Sequence, residues 1–469
     1  MMKIISKIYC KISPTFRMLS GNRHRMNILL EKIENLERIN RSQELAILDV
    51  YKRQSDIFLE KLDNLEKLSK QHNEHQKNRT NFLNISIQKL NKCKCETIVH
   101  EKKKAKILFV AMLDSIHTAR WLMQFADCEK YEIHLFSVSS GKPHPLILNE
   151  LEFSIHECDF FGEDIQQSDA SDVIEDIINF IKPDIVHTLE MQHSAYLVLP
   201  IKKKMLKKFP LWFYSCWGSD IKWFERFPEH KSKIVEVLDN CDALFSGDKQ
   251  SIHKAIDEYG FKKPTLNVPS PGGYRVDYYM SKFRIAPSIE RNIILVKGYN
   301  GWVYKPEVVF EALKKCKDEI IKNKLKVVIF LGGDIQNYID EIKNLGIEVE
   351  VFEHTDNYDD MMELYSKAKL SLASSLSDGV PNSMLESMLM GCFPILSNRG
   401  SAEEYINNGV NGCLLDPDDV DGYASAIKKA IMDNELLNNA MKINREIIKE
   451  RLDFYKIREI VLSFYDKFI

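Results

Sequence analysis

The chain has 469 residues, 44% hydrophobic and 28% charged, a length that at roughly 100–200 residues per domain suggests about three globular units or two with an appendage. Its 65 basic and 68 acidic side chains leave a formal net charge of -3, which excludes nucleic-acid binding through overall basicity, and no nucleic-acid partner is expected. No apolar run approaches the roughly 20 residues needed to span a bilayer, so a cytoplasmic protein is expected, with its ten scattered cysteines as reduced thiols.

Residues 1–26 carry Lys3, Lys7, Lys11, Arg17, Arg23 and Arg25 without one acidic residue, and Ile4, Ile5, Ile8, Tyr9 and Ile12 fall near helical spacing. This basic amphipathic stretch reads either as a peripheral foot on the anionic inner face of a membrane or as a solvated terminus. Across residues 27–92 the apolar positions Leu29, Ile33, Leu36, Ile47, Val50 and Ile57 follow a 3-4 spacing, which slips by one residue before Phe58, Leu62 and Leu65. The pattern predicts a broken coiled coil that makes a homo-oligomer, or a helical hairpin folded on its own body. Cys93 and Cys95 form a lone CxC, which needs ligands from elsewhere to hold a metal.

From residue 106 strands and helices alternate. Strands are expected at 107–111, 133–136, 185–187, 211–214 and 243–246, then at 293–296, 327–330, 349–351, 370–372 and 393–396, with Pro269, Gly272 and Gly273 breaking the series between them. Two such blocks predict an α/β chain of two doubly wound, Rossmann-like domains with parallel sheets facing a cleft, at residues 105–285 and 290–445. Residues 446–469 are expected to form a helix crossing back to the first domain, with Phe454, Tyr455, Ile457, Ile460, Val461, Leu462 and Phe464 as its apolar side.

Ligands of open parallel sheets sit beyond the carboxyl ends of the strands. The richest such loop runs Ser374-Ser375-Leu376-Ser377-Asp378-Gly379-Val380-Pro381-Asn382 and leads into a helix carrying Glu386. Gly379 lets a backbone approach a ligand, Asn382 is the expected N-cap, and the free amides of the helix start favour an anion such as phosphate. Glu386, one turn inside, has the chemistry to accept hydrogen bonds from vicinal sugar hydroxyls, although an acidic residue near a helix start also arises without function.

The segment from Ser374 through Ile427 resembles the donor-binding signature of the retaining glycosyltransferases of family 4, which have the GT-B fold: an acidic residue, seven intervening positions, then Glu, and later a glycine-containing loop with another Glu. Those positions are Asp378, Glu386 and Glu404. The resemblance implies that Glu386 holds the ribose of a nucleotide sugar, that Gly379, Val380, Pro381 and Asn382 face the transferred sugar and diphosphate, and that Lys305, with Lys297 in place of the usual Arg, neutralises the diphosphate without a metal or other cofactor. Asp378 stands where the family usually has Glu.

In the first domain, His117-Thr118-Ala119-Arg120-Trp121 is similar to a His-x-x-Arg-Trp loop of bacterial members, with His117 expected either to touch a substrate or to cap its helix. The segments ending at His187 and at Trp217-Gly218-Ser219-Asp220 are similar to two further strand-end positions of the family, which implies that they face the cleft; Trp217 reads either as a stacking surface for a sugar or as core material, and Asp220 joins Asp378, Glu386 and His117 as a catalytic candidate. Asp416-Pro417-Asp418 has the spelling of a metal-binding Asp-x-Asp but sits in a loop rich in turn formers, and no metal is expected there. These readings predict a retaining hexosyltransferase that passes a sugar from a nucleotide donor to a saccharide or lipid-linked acceptor of a surface glycan. The alternatives are a sugar-nucleotide epimerase or phosphorylase on the same scaffold, and a non-catalytic assembly protein using its coiled coil.

Overall fold

The computed structural model describes residues 104–139, 141–151, 153–156, 167–269, 272–301, 303–330, 334–352 and 357–469. The basic segment 1–26, the coiled-coil expectation at 27–92 and the Cys93/Cys95 pair lie outside the described residues.

Seven parallel strands make the first sheet: β1 Ala105–Ala111, β2 Tyr131–Ser137, β3 Ser154–His156, β4 Ile185–Leu189, β5 Leu211–Cys216, β6 Ala243–Ser246 and β7 Thr265–Asn267, in the order β3-β2-β1-β4-β5-β6-β7. Six make the second: β8 Ile293–Lys297, β9 Lys326–Phe330, β10 Glu348–Val351, β11 Ala368–Leu372, β12 Phe393–Ser397 and β13 Cys413–Leu415, ordered β10-β9-β8-β11-β12-β13. Each expected strand falls inside an observed one. The sequence reading missed the three-residue edge strands β3, β7 and β13, which are too short to show a period of two.

Central strands are apolar on both faces because helices cover both. In the first sheet Leu108, Val110, Val186, Trp212 and Leu244 line one core while Ile107, Phe109, Ile185, Phe213 and Phe245 line the other. The second sheet splits likewise, Ile294, Val296, Val327 and Leu370 against Ile293, Leu295, Val328 and Leu396. Strand order reverses at β1/β4 and at β8/β11, which opens a crevice at the carboxyl end of each sheet, and these crevices position the site.

After the Asn434–Arg451 helix the chain returns to the first domain beside its earlier crossing: the Tyr274 amide donates to the Leu452 carbonyl (2.7 Å) and the Phe454 amide to the Tyr274 carbonyl (2.9 Å). The Phe454–Tyr465 helix then packs on the first sheet through Phe454, Ile457, Val461, Phe464 and Tyr465. Tyr455 and Ile460, expected on that side, are 65% and 47% exposed because they fall off the i, i+3, i+7 stripe. His187, expected at the cleft, is buried under this helix instead. Its Nδ1 pairs with the Tyr465 hydroxyl and its Nε2 with Ser215 Oγ (2.8 Å), and burial holds the imidazole well below its ordinary pKa.

Candidate functional site

The loop after β11 is pinned before it reaches the site. The Leu376 amide donates to the Val303 carbonyl (2.7 Å) and the Ser375 amide to Ser397 Oγ (3.0 Å). Asp378 then turns back on its own chain, Oδ1 accepting from the Gly379 amide at 2.8 Å, so this amide is used internally and is not offered to a ligand. Burial pushes the Asp378 carboxyl above its ordinary range, with Lys297 opposing. Pro381, at φ -62°, occupies the N-cap of the Asn382–Leu389 helix without a capping side chain. Asn382 therefore does not cap; as the first helical residue it extends its side chain across the cleft. Among the described residues the amides of Val380, Asn382 and Ser383 have no acceptor, and together with the helix dipole they form an anion seat.

One turn further, Glu386 is 8% exposed. Its Oε1 accepts from Tyr358 OH (2.6 Å), at the start of the Tyr358–Lys367 helix, and from Arg120 Nη2 (3.1 Å) of the first domain. The guanidinium lies 4.0 Å from the centre of the Tyr358 ring. Sequence reading missed both partners. His117 and Arg120, one helical turn apart, share a face, which was a legible signal; nothing marked Tyr358.

Ser115 caps the Ile116–Leu122 helix, which frees the His117 side chain to meet Asn382 (2.7 Å). With Asn382 Nδ2 donating, Nδ1 accepts and the imidazole proton sits on Nε2. Burial, reinforced by Arg120 and Lys297, lowers its pKa to about 4, so His117 is neutral at neutral pH. The ring centres of His117 and Trp217 are 5.4 Å apart. A small cavity beside them is lined by Trp121, Leu189, Trp217 and Phe245.

Next to Trp217 the two domains meet backbone to backbone. Gly218 has φ +96°, and a Cβ there would lie 2.5 Å from Gly379 Cα. Glycine alone permits that approach.

Three expected site residues lie apart from this cluster. Asp220 points into its own domain, where Oδ2 accepts from the Met191 amide and from Tyr214 OH, each at 3.0 Å. Burial, with neighbouring Glu190, raises its pKa. Glu190, itself at φ +84° and ψ 153°, binds the Gln192 and His193 amides (2.7 Å each), so the two carboxylates serve as internal ties for the turn after β4. Glu404 accepts from the Lys249 amide (2.8 Å) of the first domain and forms part of the seam between domains rather than of the anion seat. Lys305 pairs with Asp418, whose amide donates to Asp416 Oδ1 (3.1 Å), and Asp416 also meets Arg399 (3.2 Å). The Asp-x-Asp is thus a turn tied to cations. Lys297, whose ammonium lies 4.6 Å from the centre of the Tyr304 ring, is the cation that acts on both Asp378 and His117. Among the described residues no group of three His, Cys, Asp or Glu side chains forms a metal cluster, and no helix is long and apolar enough to cross a membrane.

Residues 281–447 match the family of glycosyl transferases group 1, and residues 106–246 match the glycosyl transferase 4-like family. An N-acetylgalactosaminyltransferase of Campylobacter jejuni, named for an undecaprenol-linked glycan, is 26% identical over 32% of this chain and 43% of its own length. The chain spans about half the length of the curated relatives it matches. Among solved structures, a glycosyltransferase from Rickettsia africae superposes with a TM-score of 0.58 at 19% identity, covering 78% of this chain and 99% of the other. The Anabaena protein HepE, solved in complex with UDP-glucose, gives 0.60 at 13% identity, with 77% and 99% covered.

Proposed function

The chain belongs to the family 4 glycosyltransferases of GT-B fold, and on that premise we propose that it moves a hexose from a nucleotide sugar to a hydroxyl of a surface glycan or glycolipid with retention of configuration. One observation carries the reading: the unpartnered amides of Val380, Asn382 and Ser383 lie one helical turn from a carboxylate, Glu386, with a free oxygen. That spacing suits a diphosphate followed by a ribose.

In this proposal the glycosidic C–O bond breaks with its electron pair leaving on the diphosphate, whose growing charge the amides and Lys297 stabilise. The acceptor hydroxyl attacks the face that the leaving group vacates, and its proton passes to a phosphate oxygen. Neutral His117 supplies an Nε2–H donor for a sugar hydroxyl, not a charge. The Trp217 ring suits the C–H face of a sugar acceptor. No metal is required. The undecaprenol-linked glycan in the name of the Campylobacter relative supports a lipid-linked acceptor. A cytoplasmic enzyme held at the membrane's inner face by residues 1–26 and oligomerised through 27–92 completes the proposal.

Calorimetric titration with nucleoside diphosphates, with and without chelator, tests the donor seat; absence of binding without metal overturns the reading. Transfer of radiolabel to a lipid or saccharide acceptor separates a transferase from an epimerase, which transfers nothing. The anomeric coupling constant of the product tests retention.

A further inference from the structure

Arg120 comes from the first domain yet ends against the carboxylate of the second, 7% exposed. Its Nη2 and the Tyr358 hydroxyl both bond Oε1 of Glu386, which orients the carboxylate and leaves Oε2 for a ligand. The guanidinium carbon lies over two aromatic rings, 4.0 Å from the centre of Tyr358 and 5.5 Å from that of Tyr274. An ion pair made only for stability would engage the remaining donors. Here Arg120 Nη1 and Tyr274 OH are buried polar atoms without a partner among the described residues, and both belong to side chains packed around Glu386. An unpaired buried donor is destabilising, a penalty relieved when a polyhydroxylated ligand supplies the acceptor.

We propose that the ribose seat is shared between the domains: Arg120 fixes Glu386 through Nη2 and offers Nη1 to the same sugar, so that a ribonucleotide is fully gripped only when the first domain is closed on the second. This rests on the reading of Glu386 as the ribose carboxylate and extends it to a residue on the opposite wall. It separates the two domains' duties: the anion seat belongs wholly to the second domain, whereas recognition of the ribose hydroxyls requires both. The nucleotide thereby carries a signal that the cleft has shut, since the hydroxyl contacts form only in the state that brings the acceptor wall into place.

The test compares UDP, GDP, ADP and CDP with their 2′,3′-dideoxy counterparts on the full chain, by calorimetry. For the nucleotide that binds, the parent is expected to favour the ribo form. Arg120→Gln is expected to weaken the ribo form on the order of 10- to 100-fold, the cost of a charge-assisted bond, and Arg120→Lys by about tenfold, while neither changes affinity for the dideoxy form. Because Arg120→Gln leaves Glu386 without its counter-charge, Arg120→Gln/Glu386→Gln, which removes both charges, guards against misfolding. It is expected to show the same loss of ribose discrimination with a melting temperature near the parent's. Equal weakening of ribo and dideoxy forms would assign Arg120 to the phosphates and overturn the inference. Unchanged discrimination in both single variants overturns it alone, whereas a parent that binds none of the four nucleotides overturns the proposed function along with it.

Discussion

Asp220 of the first domain and Glu386 of the second are both carboxylates buried near the cleft, but they answer to different partners. Asp220 takes its hydrogen bonds from Met191 and Tyr214, all within one domain. Glu386 takes one from Tyr358 beside it and one from Arg120 on the opposite wall, and keeps an oxygen free. Burial of a charge therefore does not by itself mark function. A buried acid whose partners lie in its own fold is a tie, and one whose partner arrives from across a cleft belongs to a site that forms on closure.

The sharpest break of this contrast is at Glu386. Glu386→Gln is expected to lower turnover at least about 100-fold, and because the amide still fills the space and accepts from Arg120 and Tyr358, the melting temperature should fall less than in Glu386→Ala, the remaining drop being the lost counter-charge of Arg120. Glu386→Ala is a poorer probe, since stripping one member from a buried pair costs about 3–5 kcal/mol and confuses folding with chemistry. Next comes Gly218→Ala, whose methyl would strike Gly379 from a backbone at φ +96°. Transfer is expected to fall by about tenfold or more through failed closure, and a nucleoside diphosphate should keep its contacts to the second domain but lose the preference for the ribo over the dideoxy form that closure supplies.

A smaller effect is expected at Asp220, and it concerns stability. Its folded pKa, about 7, lies above the unfolded value of 3.8, so the folded chain holds a proton that the unfolded chain releases between those values. This contribution is full below the unfolded pKa and is lost as pH rises towards 7. The melting temperature of Asp220→Asn minus that of the parent should therefore grow with pH across this window; a flat difference would show that Asp220 titrates normally. The smallest effect is expected at Lys305. Because it already pairs with exposed Asp418, Lys305→Ala should change diphosphate affinity by about fivefold or less, and Lys297→Ala by more. The reverse order by calorimetry would return the phosphate to Lys305.

The same contrast explains what could be read in advance. Within the second domain the loop, helix start and Glu386 are contiguous, so spacing along the chain reports spacing in space. Even there Asn382 was misread as the cap, because Pro381, with its fixed φ, already occupies that position. In the first domain the informative pairings are remote. Arg120 meets Glu386 from 266 residues away, and no periodicity carries such a distance. His187 and Asp220 were expected at the cleft because their segments resemble strand-end positions of the family. The structure instead turns them inward, to a helix at 454–465 and to the turn at 190–193. Strands of four to seven residues were legible from their apolar positions; the three-residue edge strands β3, β7 and β13 were not.

The return of the Phe454–Tyr465 helix to the first sheet sets an order of events during synthesis. Phe109, Phe213 and Phe245 emerge from the ribosome long before Val461 and Phe464, which cover them, so the first domain waits half-dressed while the whole second domain is translated. A nascent chain of this design keeps an aromatic face open to chaperones, and a stop codon before residue 454 would uncover one of the first domain's two cores while leaving the second domain nearly whole.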